Sequence, residues 1–204
     1  MLTLDNQSMK IKVAILTTPF MFIALTTAAA APVYTFPIAG RSVKYGKYHH
    51  DYPATDIDAK KGCAFVAPIA GVVDEVNTED KWSGKTNKGA DRGGLSISII
   101  GDDGTRYYGS HLSKIEANIV PGYKVATGEK LGEIGTSGSA KGTKPHLHFG
   151  ISYPTDKGVW WIRRGVGLEK GKTSPWKYLQ AWQVGKDLKP KVVIPAQIPA
   201  EPKK

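Results

Sequence analysis

Residues 145–150 read Pro-His-Leu-His-Phe-Gly, and this stretch restricts the fold more than any other. Strict alternation of polar and apolar residues is the pattern of a strand with one buried face. In an extended strand, residues two apart share a face, with Cα atoms roughly 6.6 Å apart. His146 and His148 then look into one cleft, while Leu147 and Phe149 face a core on the other side. Such a pair can supply two metal ligands, or one ligand and one catalytic imidazole. An isolated H-x-H is more often two histidines on a polar strand face. Here the chain holds only five histidines, and the other three stand in equally pointed contexts. His49 and His50 lie just upstream of Asp56, and His111 sits in Gly-Ser-His-Leu-Ser.

The rest of the chain reads as further short strands. Leu95-Ser96-Ile97-Ser98-Ile99 alternates, Gly101-Asp102-Asp103-Gly104 is a hairpin turn, and Arg106-Tyr107-Tyr108-Gly109 is the returning strand that delivers His111. Tyr34 to Gly46 reads as a short strand and turn. Phe65 to Val76 and Lys124 to Gly135 each read as strand, turn, strand. Trp160 to Arg164 is expected to be another strand. Asn77 to Gly93 and Thr136 to Lys144 have no apolar period and read as surface loops. One helix is expected, with Ser174 as N-cap, Pro175 at its first position and Trp176, Tyr178, Leu179 and Trp182 following. The fold class is therefore mainly β, antiparallel, with one short C-terminal helix. No tandem repeat is visible.

Composition narrows the chemistry. Cys63 is the only cysteine, so no intrachain disulfide and no cysteine-based zinc site can form. A metal would be held by His and carboxylate, a donor set more typical of catalysis than of structural zinc. The formal charge of +10 favours an anionic neighbour such as a cell-wall polymer, membrane headgroups or nucleic acid. Without an RNP-type motif, zinc-finger spacing or basic helix, nucleic acid is not expected as a partner. Residues 1–31 read as a signal peptide, cleaved near Ala30: Lys10 and Lys12, then an apolar run from Val13 to Leu25, then Ala28 to Ala31. The apolar run is shorter than the ~20 residues a membrane span needs, so no anchor remains after cleavage. The expected location is secreted, periplasmic or cell-wall associated. Residues 32–185 form the folded domain, and 186–204, basic and punctuated by proline, a disordered tail that could meet wall polyanions.

His50 and Asp56 lie six residues apart in one loop, and the H-x-H follows about ninety residues later on a strand. Zinc accepts imidazole nitrogen and carboxylate oxygen at ~2.0–2.2 Å. A His/Asp/His set leaves a position for water, whose pKa would fall towards ~7. Two further imidazoles, His146 and His111, could handle protons or stabilise an oxyanion.

The order of these motifs resembles the lysostaphin/LytM-type zinc metalloendopeptidases, which cut peptides of bacterial peptidoglycan. The resemblance rests on His50 through Asp56, Ala67-Pro68 with Gly71-Val72-Val73, and Tyr108 to Ser113. It continues through the glycines of Val125 to Gly135 and through Pro145 to Phe149, so it covers roughly residues 45–155. It implies a half-barrel-like antiparallel core, Zn2+ as the cofactor, and His50, Asp56 and His148 as ligands. It implies His146 as general base or oxyanion stabiliser and His111 as its partner. It also implies a monomer acting on stem peptides or cross-bridges. The family places its first His four residues before the Asp; here the gap is six from His50 and seven from His49. His50 is preferred on the shorter reach, with His49 and, for the carboxylate, Asp58 as competitors.

Other residues have blander readings. Arg92 could meet an acidic group of a substrate, although a solvated loop arginine is the commoner case. One of Tyr107 and Tyr108 faces the core and the other the groove. Cys63 reads as a small packed residue. Trp160, Trp161, Trp176 and Trp182 read as packing around the helix more than as a glycan-stacking surface. Two non-catalytic readings compete. The Ala-Pro-Ile-Ala-Gly-Val-Val and Gly-Glu-Lys-Leu-Gly-Glu-Ile segments also look like lipoyl or biotinyl half-barrels, and a regulatory relative would keep the fold but lack ligands.

Overall fold

A computed structural model describes residues 34–40, 43–47, 49, 53–155, 159–163 and 174–201. The segment expected to be a signal peptide, His50 and the last three residues lie outside the described residues. Among the described residues, ten strands form two antiparallel sheets. They are β1 (Lys44–Tyr45), β2 (Ala54–Asp58), β3 (Ala64–Val66), β4 (Gly71–Asn77) and β5 (Ser96–Gly101). Then come β6 (Arg106–Ser110), β7 (Leu112–Ile115), β8 (Lys124–Val125), β9 (Lys130–Ile134) and β10 (His146–Ser152). Seven strands pair in the order β1-β2-β10-β6-β5-β4-β8, and three in the order β3-β9-β7. The fold is mainly antiparallel β, as the alternation of apolar residues requires.

The core lies on one face of the large sheet. Ile57, Ile97, Ile99, Tyr107, Leu147, Phe149 and Ile151 point into it from alternate positions, and Phe65, Leu112, Leu131 and Ile134 meet them from the small sheet. Gly109 marks the closest approach: a Cβ there would lie 2.5 Å from the Phe65 ring and 3.1 Å from Leu147. Gly109→Ala is therefore expected to cost about 1–3 kcal/mol through overpacking, read from the midpoint of chemical denaturation. An unchanged midpoint would mean that the small sheet can shift away from β6.

The helix α2 (Trp176–Gln183) buries Tyr178, Leu179 and Trp182. Trp182 stacks on Tyr34 at 5.3 Å between ring centroids and meets Tyr107 and Phe149 edge to face. The Ser174 hydroxyl accepts from the Trp176 N–H at 3.3 Å, which is the capping contact expected of that residue. Trp182 is thus core, whereas Trp176 at the start of the helix is half-buried.

One element differs from expectation. Trp160–Arg163 is a single helical turn, α1, and not a strand. Its Ile162 is fully buried, and the turn packs on β10 and β6. The Trp160 indole lies against Gly89, where a Cβ would come within 2.2 Å. The aromatic and β-branched residues here are anchored by packing, and packing overrides strand propensity. Residues 186–201 form no helix and no named strand. They make hydrogen bonds to the body: Trp182 Nε1 to Leu188 O at 3.0 Å, Lys191 N to Tyr178 OH at 3.0 Å, and Trp161 Nε1 to Pro199 O at 2.8 Å. Among the described residues no helix is long and apolar enough to cross a membrane.

Candidate metal centre and cleft

Strand register builds the site. β2 and β10 are antiparallel neighbours, with His148 opposite Asp56 and His146 opposite Asp58. All four side chains occupy the face of the sheet away from the core, because Ile57 and Leu147 between them point into it. On the other side of β10, Ser110 of β6 lies opposite His148. The chain then turns sharply at His111, whose φ is +64°. That left-handed conformation is costly for a non-glycine residue and is typical of functional sites. The His111 N–H donates to Gly93 O at 3.0 Å and holds the turn.

Three side chains converge on one point. His148 Nδ1 lies 2.8 Å from Asp56 Oδ1, and His49 Nε2 lies 3.6 Å from Asp56 Oδ2. One donor atom from each of His49, Asp56 and His148 lies within 4.8 Å of the others. A tetrahedral zinc with ordinary bond lengths sets neighbouring donor atoms roughly 3.4 Å apart. The trio is therefore within reach of such an ion, with the Asp56–His148 contact of 2.8 Å opening slightly and every donor pair within 4.8 Å. The donor types fit as well: two borderline nitrogens and one hard oxygen. His50 is outside the described residues, and among those described the imidazole from the upstream loop that reaches Asp56 belongs to His49. Asp58 lines the same cleft but stands outside the trio.

Burial works against ionisation of Asp56. The hydrogen bond from His148, then the charges of His148, His49 and His146, outweigh it and pull the carboxyl down to about 2. Asp56 is thus anionic throughout the neutral range, as a cation site needs.

Two more imidazoles flank the trio. His111 and His146 have ring centroids 4.9 Å apart, and His111 lies 5.9 Å from His148. His111 Nδ1 is 2.8 Å from Ser137 O, and His146 Nδ1 is 2.8 Å from Lys144 O. A carbonyl oxygen can only accept, so each Nδ1 carries the proton. Nε2 is then the lone-pair nitrogen of each neutral ring. Burial, and after it the charges of His148 and His146, push His111 down to about 3, so its ring stays neutral.

These groups line a cleft of about 660 Å³. The loops 77–93 and 136–144 form its walls, contributing Arg92, Gly93, Ser139, Thr143 and Lys144. Lys141 and Asp80 join the two loops through an ion pair of 2.9 Å. The sequence reading missed Ser110. Its hydroxyl is buried, lines the cleft and has no hydrogen-bond partner among the described residues. Alternation along β6 was the available signal: Tyr107 and Gly109 face the core, which leaves Tyr108 and Ser110 for the cleft side.

The sequence profile of peptidase family M23 matches residues 50–159. No curated protein matches the chain. Among solved structures, a Ruminococcus gnavus protein provisionally assigned as the glycyl-glycine endopeptidase LytM is similar at 22% identity. Its TM-score is 0.56, over 76% of this chain and 62% of that one. The antimicrobial peptidase lysostaphin from Staphylococcus simulans is similar at 24% identity, with a TM-score of 0.51, over 75% of this chain and 57% of that one. Its isolated catalytic domain gives 25% identity and a TM-score of 0.47, over 67% of this chain and 88% of that one. This chain thus spans less than two thirds of the first two proteins. A profile match across more than half of the chain, together with strands that gather His49, Asp56 and His148 at one cleft, establishes that the chain belongs to peptidase family M23.

Proposed function

We propose that this protein is an exported zinc-dependent endopeptidase that cleaves peptide bonds of bacterial peptidoglycan. The observation that carries the proposal is the convergence of His49, Asp56 and His148 at the base of a cleft that also holds His111 and His146. Family membership supplies the reaction class, and the similarity to lysostaphin motivates the cell-wall substrate. The apolar leader at residues 13–25 and the charge of +10 suit export into a polyanionic wall.

In this reading His49, Asp56 and His148 hold the metal. Zinc, when bound, supplies the Lewis acidity that brings water near its neutral-pH ionisation and polarises a carbonyl. His146 Nε2 accepts the proton that water loses on attacking the peptide carbonyl. The same nitrogen then delivers that proton to the departing amine. Lys144 O holds the His146 ring in the tautomer this requires. His111 stays neutral beside it and fixes its approach, itself oriented by Ser137 O. The positive φ of His111 is the backbone cost of that placement.

Purified protein should bind about one zinc and release peptide fragments from purified walls, identified by mass spectrometry. Zinc binding without any released fragment would defeat the substrate assignment. The first ligand has its own test. His49→Ala is expected to lose zinc, whereas His50→Ala keeps it. The reverse pattern would return the role to His50.

A further inference from the structure

Two arginines near the sheet differ in how their charge is used. Arg106 is buried and fully engaged. Its Nε and Nη2 meet Asp74, and its Nη1 and Nη2 meet Thr155, all at 2.7–2.9 Å. Arg92 is half-buried in the wall of the cleft, and among the described residues its guanidinium is held by Nε alone, which donates to Asn87 Oδ1 at 3.0 Å. That oxygen also accepts from Trp82 Nε1 at 3.3 Å, and Asn87 itself adopts φ +44°. Among the described residues no carboxylate pairs with Arg92.

The backbone beneath Arg92 is tightly fixed. Arg92 O accepts from Ser139 N at 2.9 Å and from Ser139 Oγ at 3.2 Å. A Cβ on Gly138 would lie 2.2 Å from that same oxygen, and one on Gly93 would lie 2.3 Å from the Tyr108 hydroxyl. Gly93 O in turn accepts the His111 N–H. The Arg92 backbone is therefore fixed next to Gly93, whose carbonyl holds a cleft imidazole, while its guanidinium lines the same cleft, anchored among the described residues at one nitrogen. Its two Nη groups form a planar fork that suits a carboxylate. Lys144 adds a second positive charge to the same cleft.

We propose that Arg92 makes this cleft selective for a peptide bearing a free carboxylate beside the scissile bond. The inference rests on the peptidase reading and deepens it. It favours a stem peptide with an acidic or carboxyl-bearing branch over an uncharged glycine bridge. An Arg–carboxylate pair formed inside a cleft carries a roughly 10- to 100-fold preference over the neutral carboxamide.

The test uses the full chain and two synthetic peptides that differ only in carboxylate against carboxamide at that position. Zinc-loaded wild type is expected to prefer the carboxylate peptide by roughly 10- to 100-fold in kcat/KM. In Arg92→Gln the ratio should collapse to within about threefold of one, and Arg92→Lys should recover part of it. Zinc content checks that each variant is folded. Binding of both peptides to zinc-free protein, measured by calorimetry, should show the same Arg92-dependent preference. A wild-type ratio near one, or a ratio that survives in Arg92→Gln, overturns the inference while leaving the peptidase reading intact. If neither peptide is cut but zinc-free binding keeps its Arg92-dependent preference, the inference stands and the peptidase reading falls.

Discussion

His148→Ala should abolish both zinc binding and wall hydrolysis. His148 is 3% exposed and lies opposite Asp56 in the sheet register, so no other described side chain can swing into its place without disturbing β10. Removing a group one shell out from a metal typically lowers affinity by about 10–100-fold, and removal of a direct donor should exceed that. Without the metal, water keeps its ordinary acidity, and kcat/KM is expected to fall by at least about 10³-fold. The fold should persist, because Leu147 and Phe149, on the opposite face of the same strand, anchor it in the core. Zinc titration, fragment release from purified walls and far-UV circular dichroism on one preparation test all three points. Substantial hydrolysis by a folded, zinc-free variant would remove the metal from the reaction.

Much of this was legible in the sequence, for a specific reason. The period of two in His146–Phe149 and in Leu95–Ile99 fixes which residues face the core before any partner strand is known. It therefore placed the two histidines of β10 together. The helix at 176–183 was legible from Ser174, Pro175 and its aromatics. What the sequence could not supply was long-range pairing. The two strand-turn-strand readings were right locally, yet β3 and β4 belong to different sheets, as do β8 and β9. Turn chemistry at Ala67–Ala70 does not encode whether the chain reverses onto itself or crosses to a second layer. Trp160–Arg163 has strand-forming side chains, but it packs as a helical turn on β10 and β6 instead of pairing with either, a long-range placement that its own residues do not encode. For Arg92 the sequence reading offered both an acidic substrate group and a solvated loop side chain, with the second as the commoner case. A loop arginine looks solvated until the partner loop, through Ser139, is seen to close the cleft beside it.

His146→Gln separates the two roles that an H-x-H pair can play. With His49, Asp56 and His148 as the donor set, His146 is not needed for zinc, and the variant should bind about one zinc as wild type does. Gln keeps a polar side chain of similar reach but cannot take up a proton at neutral pH. Loss of a general base typically costs about 10²–10⁴-fold, and it should appear in kcat with little change in KM. The tautomer supports this assignment: Nδ1–H is spent on Lys144 O, so the nitrogen left for chemistry is an acceptor, which is what a base requires. An oxyanion-stabilising ring would instead have to present a proton at Nε2, which needs the charged form. If His146→Gln loses zinc together with activity, both histidines of β10 are ligands and the proton must go elsewhere. His111 would then be the remaining candidate. It is a poorer base, because burial, and after it repulsion from protonated His148 or His146, pushes its pKa down to about 3. A zinc-replete, inactive His146→Gln protein is thus the outcome that fixes one histidine of the pair to the metal and the other to the proton.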